Sequence, residues 1–305
     1  MKMKKIKSPI SLTNFYIKKF IKKNTLIFGQ NINAGSRLGG LTRGMDQFTK
    51  NSFNTQNSEL SLVGLGMGAL ISNNKAIYFA KQLDFLLLSM DHLINTYNSS
   101  LCQDSKGTFV IVTYIVDTGY EGPQSRLNCL GDFASISKIN CRYLISEKDI
   151  KFNIKKALSN KGLHILCISQ KFGNSTNQLI DDNNLASNDD TGSYFRYKTG
   201  DTLTIVAYGF SIYETMQMIK IKKYQKFDLF VITNPANTNI KKIITSASKS
   251  KKVILMDDSG SKNKNLFWLE SKLLHLKIKI KRNLNDDIVD NLFLSKYKFK
   301  IKNTF

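Results

Sequence analysis

The sequence predicts an α/β protein made of two three-layer α/β/α domains with mostly parallel sheets. Short apolar runs of strand length alternate with longer segments of helical periodicity along most of the chain. That is the pattern of a parallel sheet covered by helices on both faces. The 305 residues accommodate about two such domains. The alternation breaks once, between residues 171 and 200, where Asn and Asp cluster and apolar periodicity fades. The expected organisation is therefore a first domain over 1–175, a linker or excursion over 176–198, and a second domain over 199–305.

The elements follow in order. Leu12, Phe15, Tyr16, Phe20 and Ile21 recur at helical spacing and predict an amphipathic helix over 11–22. Leu26, Ile27 and Phe28 form a short apolar run that stops at Gly29, as a buried strand does. From Gly29 to Asn57 the chain holds Gly35, Gly39, Gly40 and Gly44 and reads as a loop; loops of that length in compact domains are usually functional. A helix is expected at 59–72, a strand at 76–80, and a strongly apolar helix from Leu83 to Tyr97. Residues 108–116 make the plainest strand and lead into a turn, Gly119 to Pro123. Another helix, a strand near 141–145, a helix at 148–160 and a strand at 163–168 complete the first pattern. The second has strands at 202–207, 229–233 and 253–256, with helices near 211–223, 238–250 and 264–274. Lys277 to Lys281 alternates Lys with Ile, as an edge strand protected by charge does.

Composition narrows the function classes. A formal net charge of +22 raises the question of nucleic acid. The lysines are spread along the chain among many Asn and Ile residues, however, and no helix-turn-helix, zinc-finger or RNA-binding aromatic signature accompanies them. No nucleic-acid partner is expected. No apolar run reaches the roughly 18 residues of a membrane span. The basic segment Met1 to Lys7 precedes neither a long apolar run nor a small-residue cleavage site, so no membrane or signal segment is expected. Cys102, Cys129, Cys141 and Cys167 lie far apart without a Cys-x-x-Cys pair, consistent with reduced thiols and a cytoplasmic location. His92, His164 and His275 have no metal-ligand spacing.

Glu59 is the residue that stands out. It opens the apolar segment that runs through Gly64, Gly66 and Gly68 to Ala69. Glycines inside a helix cost roughly 1 kcal/mol each relative to Ala, and are kept where something approaches the backbone closely. Two readings of Glu59 stand side by side: a charge favoured by the start of a helix, or a carboxylate addressing a bound cofactor. From spacing alone, Phe85 reads as a core aromatic on an apolar helix.

Several segments, taken in order, carry a resemblance. Leu26-Ile27-Phe28-Gly29-Gln30-Asn31-Ile32 is followed by Gly39-Gly40; Ser58-Glu59 precedes a helix of small residues; Asp84-Phe85 precedes Asp91-His92-Leu93-Ile94-Asn95. Gly122-Pro123-Gln124, the run Gly200 to Gly209, and Asn234-Pro235 come after. Together they resemble the beta subunit of thiamine-diphosphate-dependent 2-oxo acid dehydrogenases such as pyruvate dehydrogenase. More broadly they resemble the pyrimidine-binding and C-terminal domains of the transketolase superfamily. The resemblance implies that Glu59 hydrogen-bonds the aminopyrimidine ring of thiamine diphosphate and moves its proton, and that Phe85 stacks on the ring. Leu60 and Gln82 would line the same pocket. The cofactor performs the hard chemistry and the protein positions it.

The chain also departs from that family. Gln30 and Asn31 stand where the family has Glu-Asp, and Ser125-Arg126 stands where it has the histidine after Gly-Pro-Gln. Gln30, Ser125 and Arg126 are candidates for the substrate pocket, with Arg126 able to pair with a carboxylate or phosphate. The superfamily's Gly-Asp-Gly…Asn motif for Mg2+ is approached only by Gly131-Asp132-Phe133. The resemblance therefore implies an alpha-type partner that carries the diphosphate and Mg2+ site, in a heterotetramer. Oxidative decarboxylation of a 2-oxo acid is the leading expectation. A transketolase-like or carboligating subunit is the first alternative, and a non-catalytic subunit that kept the fold is the second.

Overall fold

The computed structural model describes residues 8–117, 128–175, 187–188, 192, 194–222, 226–234, 239–257, 266–276 and 278–284. They fall into two compact units, 8–117 with 132–175, and 128–131 with the described residues from 187 onward. The first unit carries a six-stranded sheet of β1 (Leu26–Gly29), β2 (Ser52–Asn54), β3 (Lys75–Phe79), β4 (Thr108–Ile115), β5 (Asn140–Leu144) and β6 (Gly162–Ser169). The strand order is β2-β1-β3-β4-β6-β5, and every pairing is parallel. All eight residues of β6 are buried, as expected for a strand covered on both faces.

One face of this sheet is covered by α1 (Pro9–Phe20) and α5 (Glu147–Ser159). Their Ile10, Leu12, Tyr16, Ile17, Ile150 and Ile154 join Ile27, Ile77, Val110, Val112, Leu166 and Ile168 in a single apolar cluster. Local chemistry sets both helix starts. Ser8 caps α1 by accepting from the Ser11 N–H, with Pro9 in the first turn. Ser146 and Asp149 form a reciprocal capping box on α5. The Tyr16 hydroxyl donates to Glu147 Oε1 at 2.9 Å and ties the two helices together.

The other face carries α2 (Glu59–Ile71), the segment 83–96 and α3 (Tyr97–Cys102). Here the glycines of α2 find their reason. A methyl group at Gly66 would overlap the Phe109 ring of β4, and one at Gly64 would lie 3.1 Å from His92 Nε2. A methyl group at Gly68 would meet nothing within 4 Å. The close approach expected from these glycines is therefore made by internal side chains at two of the three positions. Phe28 stacks on Tyr78 with ring centroids 5.4 Å apart and lies 6.4 Å from Phe109, so α2 rests on an aromatic floor.

Three stretches differ from the sequence expectations. The helix expected from Leu83 to Tyr97 is a composite of a 3-10 turn over Leu83–Ser89, a π turn over His92–Thr96, and α3. Leu83, Leu86 and Ser89 are buried at a spacing of three, which matches 3-10 rather than α geometry. The loop expected over 29–57 contains β2 and two short 3-10 turns. Within the expected excursion, Tyr194–Lys198 is a strand, β8. Its Tyr194, Phe195 and Tyr197 are buried, and aromatic strand preference prevails over the polar composition around them.

The second unit has strands β7 (Ser187–Asn188), β8, β9 (Leu203–Tyr208), β10 (Phe227–Ile232), β11 (Lys252–Asp257) and β12 (Lys279–Leu284). Their order is β12-β11-β9-β10-β8-β7. The four strands from β12 to β10 are parallel, and β8 and β7 extend the sheet antiparallel. The lysine-rich strand β12 is an edge. The unit's helices are α6 (Ile212–Lys222), α7 (Lys241–Ser250) and α8 (Phe267–Leu274). A buried network crosses the sheet: Arg196 donates twice to Asp228 at 2.6 Å, and Ser246 donates to the same carboxylate.

Two outcomes follow from this packing. Gly66→Ala is expected to lower unfolding free energy by about 1–3 kcal/mol through overpacking, whereas Gly68→Ala is expected to raise it by about 0.5–1 kcal/mol through helix propensity; urea denaturation of the two variants checks both signs. His164, 4% exposed, has its pKa pulled down to about 4 by burial and then by the Arg142 charge. The unfolded chain therefore holds the extra proton between the ordinary value of 6.5 and 4, so stability falls as pH drops through that window. In His164→Leu, stability measured from pH 7 to pH 4 is expected to fall by about 3 kcal/mol less than in the unaltered protein.

Candidate functional site

In the first unit the chain leaves β1 to form β2 on one side and returns to form β3 on the other. The strand order thus reverses between β1 and β3, and open parallel sheets receive ligands at the carboxyl ends of strands beside such a reversal. The loop after β1, the start of α2 after β2, and the residues after β3 all gather at that edge.

A cleft of about 350 Å3 lies there. Leu38 and Gly39 line it from the loop after β1. Lys81, Gln82 and Phe85 line it from the turn after β3, and Tyr114 from the end of β4. Gln170 and Asn174, which follow β6, and Ile10 of α1 complete it.

The loop wall is held in an unusual backbone conformation. Arg37, Leu38 and Gly39 have φ of 52°, 48° and 63°, values that cost energy for the two side-chain-bearing residues. Several hydrogen bonds hold the loop in this shape. The Tyr114 hydroxyl donates to the Leu38 carbonyl at 2.7 Å. Arg37 Nη1 donates to the Ile32 carbonyl at 2.8 Å and pairs with Asp46. Asn54 Oδ1 accepts from the Ile32 and Asn33 N–H groups, and Thr42 donates to the Asn31 carbonyl. Asn14 of α1 donates to the Leu41 and Arg43 carbonyls. Burial pushes the Tyr114 phenol above its ordinary pKa, so it stays protonated and keeps donating.

Glu59 occupies the first position of α2 and is only 8% exposed. It lies near Tyr78, whose phenol is pushed up first by burial and then by the Glu59 charge. Glu59 is not among the residues lining the cleft, but α2 packs directly against the 3-10 turn that carries Phe85. The structure thus brings Gln82 and Phe85 into one cleft and places Glu59 on the neighbouring helix. Leu60 is 49% exposed and points away from the core. Gln30 is half-buried immediately after β1 and does not line the cleft. Ser125 and Arg126 lie outside the described residues. Asn95 donates to Asp91 at 2.8 Å within the π turn. Among the described residues no group of three His, Cys, Asp or Glu side chains is placed to hold a metal ion.

Tyr114, Leu38, Gln170 and Asn174 had not been singled out. The one signal in the sequence is a phenol near the end of a largely apolar strand, at Tyr114; the others become neighbours only through the crossing of strands.

No protein-family model matches the sequence, and no curated protein matches it. Among solved structures, one described as a split gene transketolase, inactive beta4 tetramer, superposes with a TM-score of 0.72 at 13% sequence identity. The match covers 93% of this chain and 89% of that chain. The chain therefore has a transketolase-like two-domain α/β fold.

Tyr114→Phe removes the hydrogen bond that holds the Leu38 carbonyl and is expected to cost about 1 kcal/mol. The expected signature is faster hydrogen exchange at the Gly39 and Leu41 amides, with exchange in β4 and α5 unchanged.

Proposed function

We propose that this chain is one component of a two-chain thiamine-diphosphate enzyme. It supplies the pocket for the pyrimidine half of the cofactor, and an alpha-type chain supplies the diphosphate and Mg2+ site. The first unit is the pyrimidine-binding domain and the second the transketolase-type C-terminal domain. The observation that carries the reading is Glu59, a buried carboxylate at the start of α2 beside the strand-order reversal, in a fold shared with a transketolase.

The residues present fit the pyrimidine half. A ring nitrogen needs a carboxylate, and Glu59 is buried enough for water to compete weakly. A flat ring needs an apolar face, and Phe85 is half-buried on the turn packed against α2. Gln82 adds an amide able to donate and accept. When bound, thiamine diphosphate supplies the nucleophile and the electron sink for breaking or making a bond beside a carbonyl. Glu59 holds and returns the proton at its carboxyl oxygen. Phe85 sets the ring plane, and the pinned loop after β1 limits water.

Transketolase-like group transfer is the stronger form of this reading, because Ser125 stands where the dehydrogenase resemblance calls for histidine and because the fold is shared with a split-gene transketolase. Oxidative decarboxylation of a 2-oxo acid, as in pyruvate dehydrogenase, is the second reading. Partner binding has a physical basis as well. Leu60, Leu65, Ile71, Leu87 and Leu88 are exposed on the layer formed by α2 and its neighbours, more apolar surface than scattered single residues account for. A beta-only assembly of the structural relative is described as inactive, in keeping with a chain that works only beside a second one.

The test is the complex purified through this chain from its own cells. With thiamine diphosphate and Mg2+ added, transfer to an aldehyde acceptor is the expected activity, and reduction of an artificial electron acceptor by a 2-oxo acid marks the second reading. Glu59→Gln is expected to lower turnover about 100-fold or more while the complex still assembles. An unchanged rate would show a non-catalytic subunit.

A further inference from the structure

We infer that the outer face of α1 and α5 binds single-stranded nucleic acid, RNA or DNA, through rows of lysine interleaved with phenylalanine rings. This face lies on the side of the first sheet opposite the layer of α2, and the inference rests on no part of the cofactor reading. Along the chain the lysines look dispersed, and in the first unit the fold gathers them here.

Charge is the first argument. The first 45 residues contain no Asp or Glu. On α5, Lys148, Lys151 and Lys155 occupy consecutive exposed positions, i, i+3 and i+7, a row about 10 Å long. Lys19, Lys22 and Lys23 are exposed at and just beyond the end of α1, which packs alongside α5. The carboxylates of α1, α5 and residues 37–50 all have structural tasks. Glu147 accepts from Tyr16, Asp149 closes the capping box of α5, and Asp46 pairs with Arg37. The positive groups also feel one another. Lys75 donates to the Leu158 carbonyl near the end of α5, and its pKa is lowered first by burial and then by the Lys22 charge. That of Lys18 is lowered first by burial and, against the pull of Asp46, by Arg43. Charges from α1, the loop after β1 and the start of β3 therefore add to one field. A phosphate backbone that neutralises them relieves this repulsion and releases its own counterions.

The rings are the second. Phe15 of α1 is 43% exposed, with the Lys19 ammonium 6.0 Å from its centroid. Phe48 is 44% exposed, with the Lys18 ammonium at 5.5 Å. Phe152 of α5 is half-buried beneath Lys156 at 5.6 Å. Each ring thus has a cation beside it. A base laid on such a ring brings its phosphate to the ammonium, which is how sequence-tolerant single-strand sites combine stacking with charge.

The same observations favour a single strand over the other polyanions. The apolar faces of α1 and α5 are already buried against the sheet, which leaves none to enter a lipid headgroup layer. Among the described residues of α1, α5 and 37–50, the large apolar side chains left exposed are Phe15 and Phe48; the exposed leucines of α2 and its neighbours lie on the opposite layer. A duplex keeps its base faces stacked inside and gives the rings nothing to meet, whereas a single strand presents free base faces together with its phosphates.

The experiment uses the purified full chain and reads fluorescence anisotropy of labelled oligouridine, oligothymidine and a mixed-sequence DNA duplex, all of about 15 nucleotides per strand, with phosphatidylserine vesicles as a separate arm. A single strand is expected to bind at least 10-fold more tightly than the duplex, with log K falling by about 0.7 per neutralised phosphate as log salt rises; the tighter of the two single strands tells RNA from DNA. Lys151→Gln combined with Lys155→Gln is expected to weaken binding at least 5-fold and to make the salt slope shallower by about 1. Phe15→Ala is expected to weaken binding at least 5-fold and leave the salt slope unchanged. Lys241→Gln combined with Lys242→Gln, which removes the same charge from α7 of the second unit, is expected to change binding less than 2-fold. All five positions are exposed, so the fold is kept. Glu59→Gln is expected to leave nucleic-acid binding intact, which separates this inference from the cofactor assignment. No binding at low salt, a duplex held as tightly as the single strands, vesicles bound in their place, or equal losses from the α5 and α7 variants would each overturn the inference.

Discussion

The contact of Gly66 with the Phe109 ring governs the rest of the first unit. Only a residue without a side chain lets α2 sit this close to the sheet. The height of α2 above the aromatic floor of Phe28, Tyr78 and Phe109 fixes where its first residue lies, and that residue is Glu59. Gly64 makes room in the same way for His92, so the helix is located from two sides, by a strand below and by the π turn beside it. A carboxylate at a helix start is ordinary. Glu59 is instead buried, at the carboxyl edge of a parallel sheet, on a helix whose height Gly66 and Gly64 fix.

The opposite wall of the cleft is built on a different principle. Arg37 and Leu38 adopt left-handed backbone that local preference disfavours, and a set of side-chain hydrogen bonds to main-chain groups holds them there. Tyr114 connects this loop to the centre of the sheet. Strain held by a rigid frame is common where a ligand must find its groups already in position. Gln82 and Phe85, expected from the sequence, thus share their cleft with residues from four other segments.

Charge divides the first unit into unlike faces. Residues 57–102 contain two lysines and three acidic residues, in a chain whose formal charge is +22. α5 alone carries Lys148, Lys151, Lys155 and Lys156 toward the outside. A compositional drift toward lysine would load both layers alike. Lysine is scarce in the layer of α2 and its neighbours, where leucines are exposed, so that face costs less to desolvate than the face of α5.

The sequence by itself determined the α/β class, the order of nearly all the long elements, the doubling of the pattern and the position of Glu59 at a helix start. Each of these depends on local periodicity, capping or glycine placement, which neighbours along the chain specify. The tertiary structure decided the rest. The split of the 83–102 segment into three helix types follows from how Leu83, Leu86 and Ser89 meet the layer beneath. The strand at Tyr194–Lys198 exists because β10 offers it a partner. Whether the glycines of α2 faced a cofactor or a phenylalanine depended on Phe109, some forty residues away. The cleft gathers Ile10, Leu38, Gln82, Tyr114 and Asn174 from across the unit. Contacts of that kind are set by the crossing of strands in space, and no local pattern along the chain encodes them.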